Sequence, residues 1–468
     1  MKKALSLICI ICLLVLNSSV AFGNTKDIYG EIDKYLSQGA KDAKIPGMTV
    51  IIVDKDNVLF TGIYGDSGVD TPFIIGSMSK SFTAVCIMQL VEQGKIELDK
   101  SISAYLPDIS EGNKITVRQL LNQTSGLSPI QRVSNMKVTD SKGSHLYANV
   151  NYSLLGRIVE SVSGKTYEEY ITDNIFNPLG MTHSAASLEK SKKNGLISGY
   201  RNYFGFRISG EPDYPNENSW SEVPAGYLSA SISDMGKYLQ MYLNGGKGIV
   251  DPKSINTMFY DNVYVKADTP YYYGMGWTLY KNYSEPVLAH TGLVENFMSN
   301  MFILPDSGIG IAVLTNTNDY FVTNSEIHAL STSIALMLLG DEPIQVTSSK
   351  YWRYHLFFDG IYLIVLLIAL IPFIFLLKNG KKIAKAKKYK TIIKTIILHI
   401  IVPTILLLIP QIIAGMPLWL VRNYVPDFFL VLVISASLLY LGGVIKMGFL
   451  YKSKAEEIDS IKAQRIQQ

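Results

Sequence analysis

Phe73-Ile-Ile-Gly-Ser-Met-Ser-Lys-Ser-Phe-Thr-Ala84 reads as a loop running into a helix. Gly76 gives the tight entry, and Ser77 is a favoured first-turn residue. Behind it Phe82, Val85, Cys86, Met88, Leu90 and Val91 mostly follow a helical stripe that Gly94 ends. On such a helix Ser77 and Lys80 are three apart and share a face. The Ser77 hydroxyl then sits at the positive end of the helix dipole. A lysine one turn away can take its proton if burial lowers the lysine pKa. Taken alone, the pair also fits a helix cap followed by a solvated lysine, so its partners further along decide.

Outward from this stretch, both ends of the chain carry membrane signals. Residues 1–23 read as a signal peptide: Lys2 and Lys3, an apolar run from Ala4 to Leu16, and small residues at Ala21 and Gly23. An uncleaved anchor is the alternative. With that segment removed only Cys86 remains, so residues 24–340 hold no internal disulfide and rely on a core. Towards the C-terminus, apolar runs over about Leu356–Leu377, Ile392–Ala414 and Phe428–Leu450 are each long enough to span a bilayer. Seven lysines and no acid lie between Lys378 and Lys390, whereas Met416 to Asp427 holds only Arg422 and Asp427. Positive loops stay inside, which puts the lysine loop and the tail (452–468) in the cytoplasm and residues 24–340 outside, joined to the spans (356–451) by a tether at 341–355. The net charge of +4 owes much to this loop and does not point to nucleic acid. His399 in the second span has no acidic partner there and reads as a packing residue.

The outer part is predicted to be α+β. Asp27–Ala43 is an amphipathic helix, and Met48–Val53 with Val58–Tyr64 form a hairpin. Helices follow at Ile115–Leu127, Asn149–Ser161, Thr166–Phe176 and Ile232–Leu243. Strands at Tyr272–Leu279, Val287–His290, Phe297–Leu304 and Ile309–Leu314 precede a closing helix at Glu326–Leu339. This order suggests one antiparallel sheet with a helical insertion.

Two further stretches carry chemistry. Tyr147-Ala-Asn149 precedes a helix, where the phenol can face a cleft and Asn149 can cap the helix. His290-Thr-Gly292 ends a strand, where glycine lets a substrate backbone approach closely. With Ser77-Met-Ser-Lys80 they stand in the order of the serine β-lactamase and penicillin-binding-protein superfamily, which the chain from about Asp27 to Leu339 resembles, most of all its class C β-lactamase and D-alanyl-D-alanine carboxypeptidase branch. Leu120-Leu-Asn-Gln-Thr-Ser-Gly-Leu127, Tyr152-Ser-Leu-Leu-Gly156 and Pro224-Ala-Gly-Tyr-Leu228 support the likeness.

The resemblance implies a β-lactamase/transpeptidase-like sheet flanked by helices with a helical subdomain. It implies Ser77 as nucleophile, Lys80 and Tyr147 as a joint general base, and the backbone N–H groups of Ser77 and Leu293 as the oxyanion hole. Asn149 would orient the substrate amide, Thr291 and Gly292 would line the substrate's carboxylate side, and Gln131 would be an amide-binding residue. His290 stands where class C enzymes carry lysine, which leaves no fixed positive charge at neutral pH. No metal or cofactor is required. Three readings compete: a hydrolase of D-amino-acid-containing peptides, esters or cell-wall polymers; a peptidase that matures a D-amino-acid prodrug during antibiotic export; and a non-catalytic protein that binds β-lactams or wall fragments.

Overall fold

A computed structural model of the chain describes residues 25–216, 219–384 and 388–466. The expected signal peptide lies outside the described residues. Helix α1 (Thr25–Asp42) leads into a hairpin of β1 (Gly47–Val53) and β2 (Val58–Gly65). A tight turn at Gly76–Met78 opens α2 (Ser79–Glu92), and α3 (Asn149–Ser163) and α4 (Ile232–Leu243) follow in the helical insertion. The chain then returns to the sheet through β3 (Val263–Tyr264), β4 (Tyr271–Tyr273), β5 (Thr278–Tyr280), β6 (Val287–Val294), β7 (Phe297–Leu304) and β8 (Ile309–Thr315), and α5 (Thr323–Leu338) closes it. The sheet is antiparallel in the order β2-β1-β8-β7-β6-β5-β4-β3, so the first hairpin is stitched to the last strand by the pairing of Val50 with Val313.

Both sheet faces are covered. Ile51 and Val53 of β1 point into the core that holds α2, α3 and α4, while Met48, Val50 and Ile52 point into a second core under α1 and α5. A sheet with one wet face alternates apolar and polar residues; β1 is buried at all seven positions because it has none. For the same reason α2 has no solvent stripe: every residue from Ser79 to Leu90 is buried, and the helix expected to carry an apolar stripe is a core helix.

Three differences from expectation have local causes. Tyr272–Leu279 is not one strand but β4 and β5, folded back at Gly274 and Gly276, the latter at φ +83°. An additional hairpin, Gly199–Tyr203 with Phe206–Gly210, pairs in parallel with Thr317–Asn318. Pro252–Tyr260 forms a further helix, with proline in its first turn.

Among the described residues three helices are long and apolar enough to cross a membrane, over Ser348–Gly380, Tyr389–Ala414 and Pro426–Lys452. They belong to α6 (Ser348–Ala384), to α7 (Lys388–Ile396) continued through a π-turn into α8 (Val402–Ala414), and to α10 (Pro426–Ile466); the short α9 (Leu418–Tyr424) lies in the loop before α10. The stretch expected as a tether (341–355) is helical from Ser348 and makes contacts with the domain before it. Lys350 pairs with Glu326 at 2.7 Å, His355 approaches Asp319 at 3.2 Å, and the Lys44 ammonium lies 3.5 Å from the Trp352 ring centre.

Candidate active site

Lys80 is the centre of the site. It is fully buried and its Nζ donates to Ser77 Oγ at 3.0 Å, to the Asn149 side-chain carbonyl at 2.7 Å and to the Ala225 backbone carbonyl at 2.6 Å. All three partners are neutral. Burial therefore pushes the lysine well below its ordinary value, with no carboxylate to hold the proton. The faces of Tyr147 and Tyr152 complete its surroundings at 4.8 and 5.7 Å.

The turn that carries Ser77 is held from both sides. Ser79 Oγ donates to the Gly76 carbonyl at 2.7 Å and accepts from the Leu228 N–H at 3.1 Å, while Ser299 Oγ donates to the Ile75 carbonyl at 2.7 Å. Gly76 has φ +56°, and a Cβ built on it would collide with the Leu293 backbone nitrogen. That close approach sets the Leu293 N–H of β6 beside the Ser77 turn, as a two-donor pocket for an oxyanion requires.

Tyr147 is half-buried at the edge of the same group. Desolvation pushes its phenol well above the ordinary value, Tyr273 adds to the rise, and a hydrogen bond with Ser77 opposes it. Burial favours the neutral form of each group, a free amine and a protonated phenol, on either side of one serine. An amine 3.0 Å from the hydroxyl can accept its proton as a carbonyl is attacked, and the phenol can pass a proton onward.

Asn149 does not cap its helix. Ala148 occupies the cap position, no side chain bonds there, and the Asn149 amide oxygen is spent on Lys80. His290 is buried, with Nδ1 donating to the Thr291 carbonyl at 2.8 Å and Nε2 facing the Tyr273 hydroxyl at 3.3 Å. Burial pushes the imidazole down to about 3, the Lys80 charge adds to this, and the bond to the Thr291 carbonyl opposes it. Thr291 is exposed and donates to Asn300 at 2.8 Å. Gln131 is the one residue not brought to this group. Its oxygen accepts from the Ser128 N–H at 3.0 Å and its nitrogen donates to the Lys137 carbonyl at 3.1 Å, so its own loop uses it.

A cavity of about 560 Å³ opens from Ser77 along β6 towards α5, walled by Tyr147, Tyr273, Tyr280, His290, Leu293 and Leu336 among others. No Asp, Glu, Lys or Arg lies on its described wall. Its three histidines, His145, His290 and His328, are all held down by burial and are neutral. Reasoning from sequence alone missed two members of the site. The Ala225 carbonyl was signalled by Pro224-Ala-Gly-Tyr-Leu228, whereas Tyr273 was hidden in a tyrosine run that fits any strand.

The family model described as Beta-lactamase matches residues 32–331. Protein flp of Staphylococcus aureus (strain MRSA252) is 27% identical over 438 residues, covering 84% of this chain and 85% of that protein. The octameric penicillin-binding protein homologue from Pyrococcus abyssi is 27% identical with a TM-score of 0.59, covering 69% of this chain and 80% of that one. A class C beta-lactamase, 19% identical, shares the fold with a TM-score of 0.57 over 67% of this chain and 97% of its own. With the family model covering well over half its length, this chain belongs to the beta-lactamase family.

Proposed function

We propose that this protein is a membrane-anchored serine hydrolase with its catalytic domain outside the cytoplasm. It opens amide or ester bonds of D-amino-acid-containing peptides or cell-wall polymers through an acyl-enzyme on Ser77. The observation that carries the reaction type is the buried, neutrally solvated Lys80 amine bonded to the Ser77 hydroxyl. Lys80 takes the serine proton, the Ser77 and Leu293 N–H groups receive the oxyanion, and Tyr147 relays the proton to the leaving group. Asn149 locks the lysine and orients the incoming amide. Water then releases the acyl group.

The wall along β6 narrows the substrate. A neutral His290 in an uncharged cavity offers no counter-ion to a free carboxylate. The cavity therefore suits an internal ester or amide better than a terminal carboxypeptidase substrate or a β-lactam carboxylate. The D-configuration rests on the motif set, which resembles the D-alanyl branch. The full chain should hydrolyse D-alanyl esters or amides faster than the L-forms, by about 10-fold or more; no turnover of either, or an L-preference, contradicts the assignment.

Packing supports the topology. The loop between the second and third spans touches the catalytic domain, with Trp220 and Trp419 ring centres 5.8 Å apart. This contact supports a shared membrane face for the catalytic domain and this loop, in line with the lysine-based orientation. Single cysteines introduced as Ala384→Cys and Gln468→Cys should react with an impermeant thiol reagent only after permeabilisation. Reaction at either in intact cells overturns the orientation.

A further inference from the structure

A second cavity, of about 650 Å³, lies between the catalytic domain and α9. Its wall is polar, with Asp213 and Asn423 among its residues, and carries four aromatic side chains. Trp220 and Tyr227 face it from the catalytic domain, Trp419 faces it from the membrane loop, and Tyr214 packs edge-on against Tyr227 with ring centres 5.7 Å apart. Glu295 also lines it, two residues beyond Leu293 at the end of β6. At about 3.3 Å per residue, that places Glu295 roughly 7 Å along the chain from the oxyanion donor.

Glu295 is 2% exposed. Its Oε1 accepts from the Tyr227 hydroxyl at 2.9 Å, and its Oε2 has no partner among the described residues. Burial raises its carboxyl to about 7; the Arg201 charge pulls the other way, yet Arg201 is paired with Asp213 at 3.5 Å. Arg132 stands on the exposed rim. A desolvated carboxylate with one idle oxygen is costly until a cation meets it. A buried carboxylate that shares a cavity with tryptophan and tyrosine rings suits an ammonium group, which both can attract. Leu293 lines the first cavity and Glu295 this one, so the two cavities are neighbours at the end of β6.

We propose that this cavity is a subsite for a primary ammonium group that the substrate carries a few bonds from its scissile carbonyl. Glu295 is the counter-ion, and the Trp220, Tyr227 and Trp419 rings form the walls. The loop between the second and third spans is then part of the substrate site, and the spans do more than anchor it. The inference rests on Ser77 being the nucleophile for its placement, and its test separates the two.

The full chain carrying Ser77→Ala, in detergent micelles, is titrated with D-alaninamide, which bears an ammonium and no carboxylate, and with its neutral N-acetyl counterpart. Intrinsic fluorescence reports through Trp220 and Trp419. The amine should bind saturably and at least 10-fold more tightly than the neutral compound. Glu295→Gln should remove that preference. Because a buried substitution can disturb folding, Trp419→Ala, on the membrane loop, provides a second variant and should weaken amine binding at least 5-fold. Equal binding of the two compounds, no saturable change, or a preference that survives both substitutions overturns the subsite. Amine binding that persists in a protein that hydrolyses no ester upholds the subsite and removes the hydrolase reading. Ester hydrolysis by the Ser77 form without amine preference and without amine binding removes the subsite alone.

Discussion

Lys80→Ala should lower the rate of Ser77 acylation by about 10³-fold or more. The lysine, 3.0 Å from the serine hydroxyl, is its proposed proton acceptor and also the polar centre bonded to Asn149 and the Ala225 carbonyl. General-base removal alone costs about 10² to 10⁴. Tyr147→Phe, which deletes one hydroxyl, should cost at the lower end of that range. The double variant should be little worse than Lys80→Ala, because the two groups serve one proton transfer; fully multiplicative losses would mean separate roles. The pH dependence follows from the direction of the shift. The reactive form is the neutral amine, and burial holds the lysine well below its ordinary value, which favours that form. The acylation rate should fall as pH drops through that lowered value, with the acid limb well below the ordinary lysine range. A limb near pH 10 would show a charged Lys80 and contradict the assignment. Stopped-flow acylation by a chromogenic ester across pH measures both effects.

Gly292→Ala should be severely damaging to the site. A Cβ there collides with the Ile75 carbonyl oxygen and with Ser299 Oγ, the pair whose 2.7 Å bond fixes the Ser77 turn. The turn must move off β6 to make room. Overpacking costs about 1–3 kcal/mol of stability, and misplacing the Leu293 donor costs about 10²–10³ in rate. A thermal melt and an acylation rate, taken at a temperature where the variant is folded, separate the two losses. A folded variant with an unchanged rate would show that the Ser77 turn and β6 do not need this contact.

What was legible in the sequence is what chemistry or periodicity writes locally. Ser77 and Lys80 lie within one turn, Gly76 and Gly292 mark backbone that must pass close to backbone, and the three apolar spans declare themselves by length. The burial of α2 on all sides was not legible, because Ser79, Ser81 and Thr83 look like a solvent face until their bonds to Gly76, Met78 and Pro224 carbonyls are seen. The meeting of Lys80 with Asn149 and Ala225, 69 and 145 residues away, depends on how the insertion folds back. Gln131 sits beside a motif-like stretch, but local bonding in its own loop outweighed that position. The loop from Met416 to Asp427 is notable in sequence for its charge alone; Trp419 and Tyr424 are the signal that it has a partner, and only packing shows that the partner is Trp220.

The central claim is that a lysine-activated Ser77 forms an acyl-enzyme. Intact-protein mass spectrometry, with peptide mapping after exposure to penicillin, a fluorophosphonate and a D-alanyl ester, addresses it directly. The account predicts a single covalent adduct on the peptide carrying Ser77 from the fluorophosphonate or the ester, absent in Ser77→Ala protein with an unchanged melting profile. No adduct from any probe, or an adduct of full stoichiometry retained in Ser77→Ala, would contradict it.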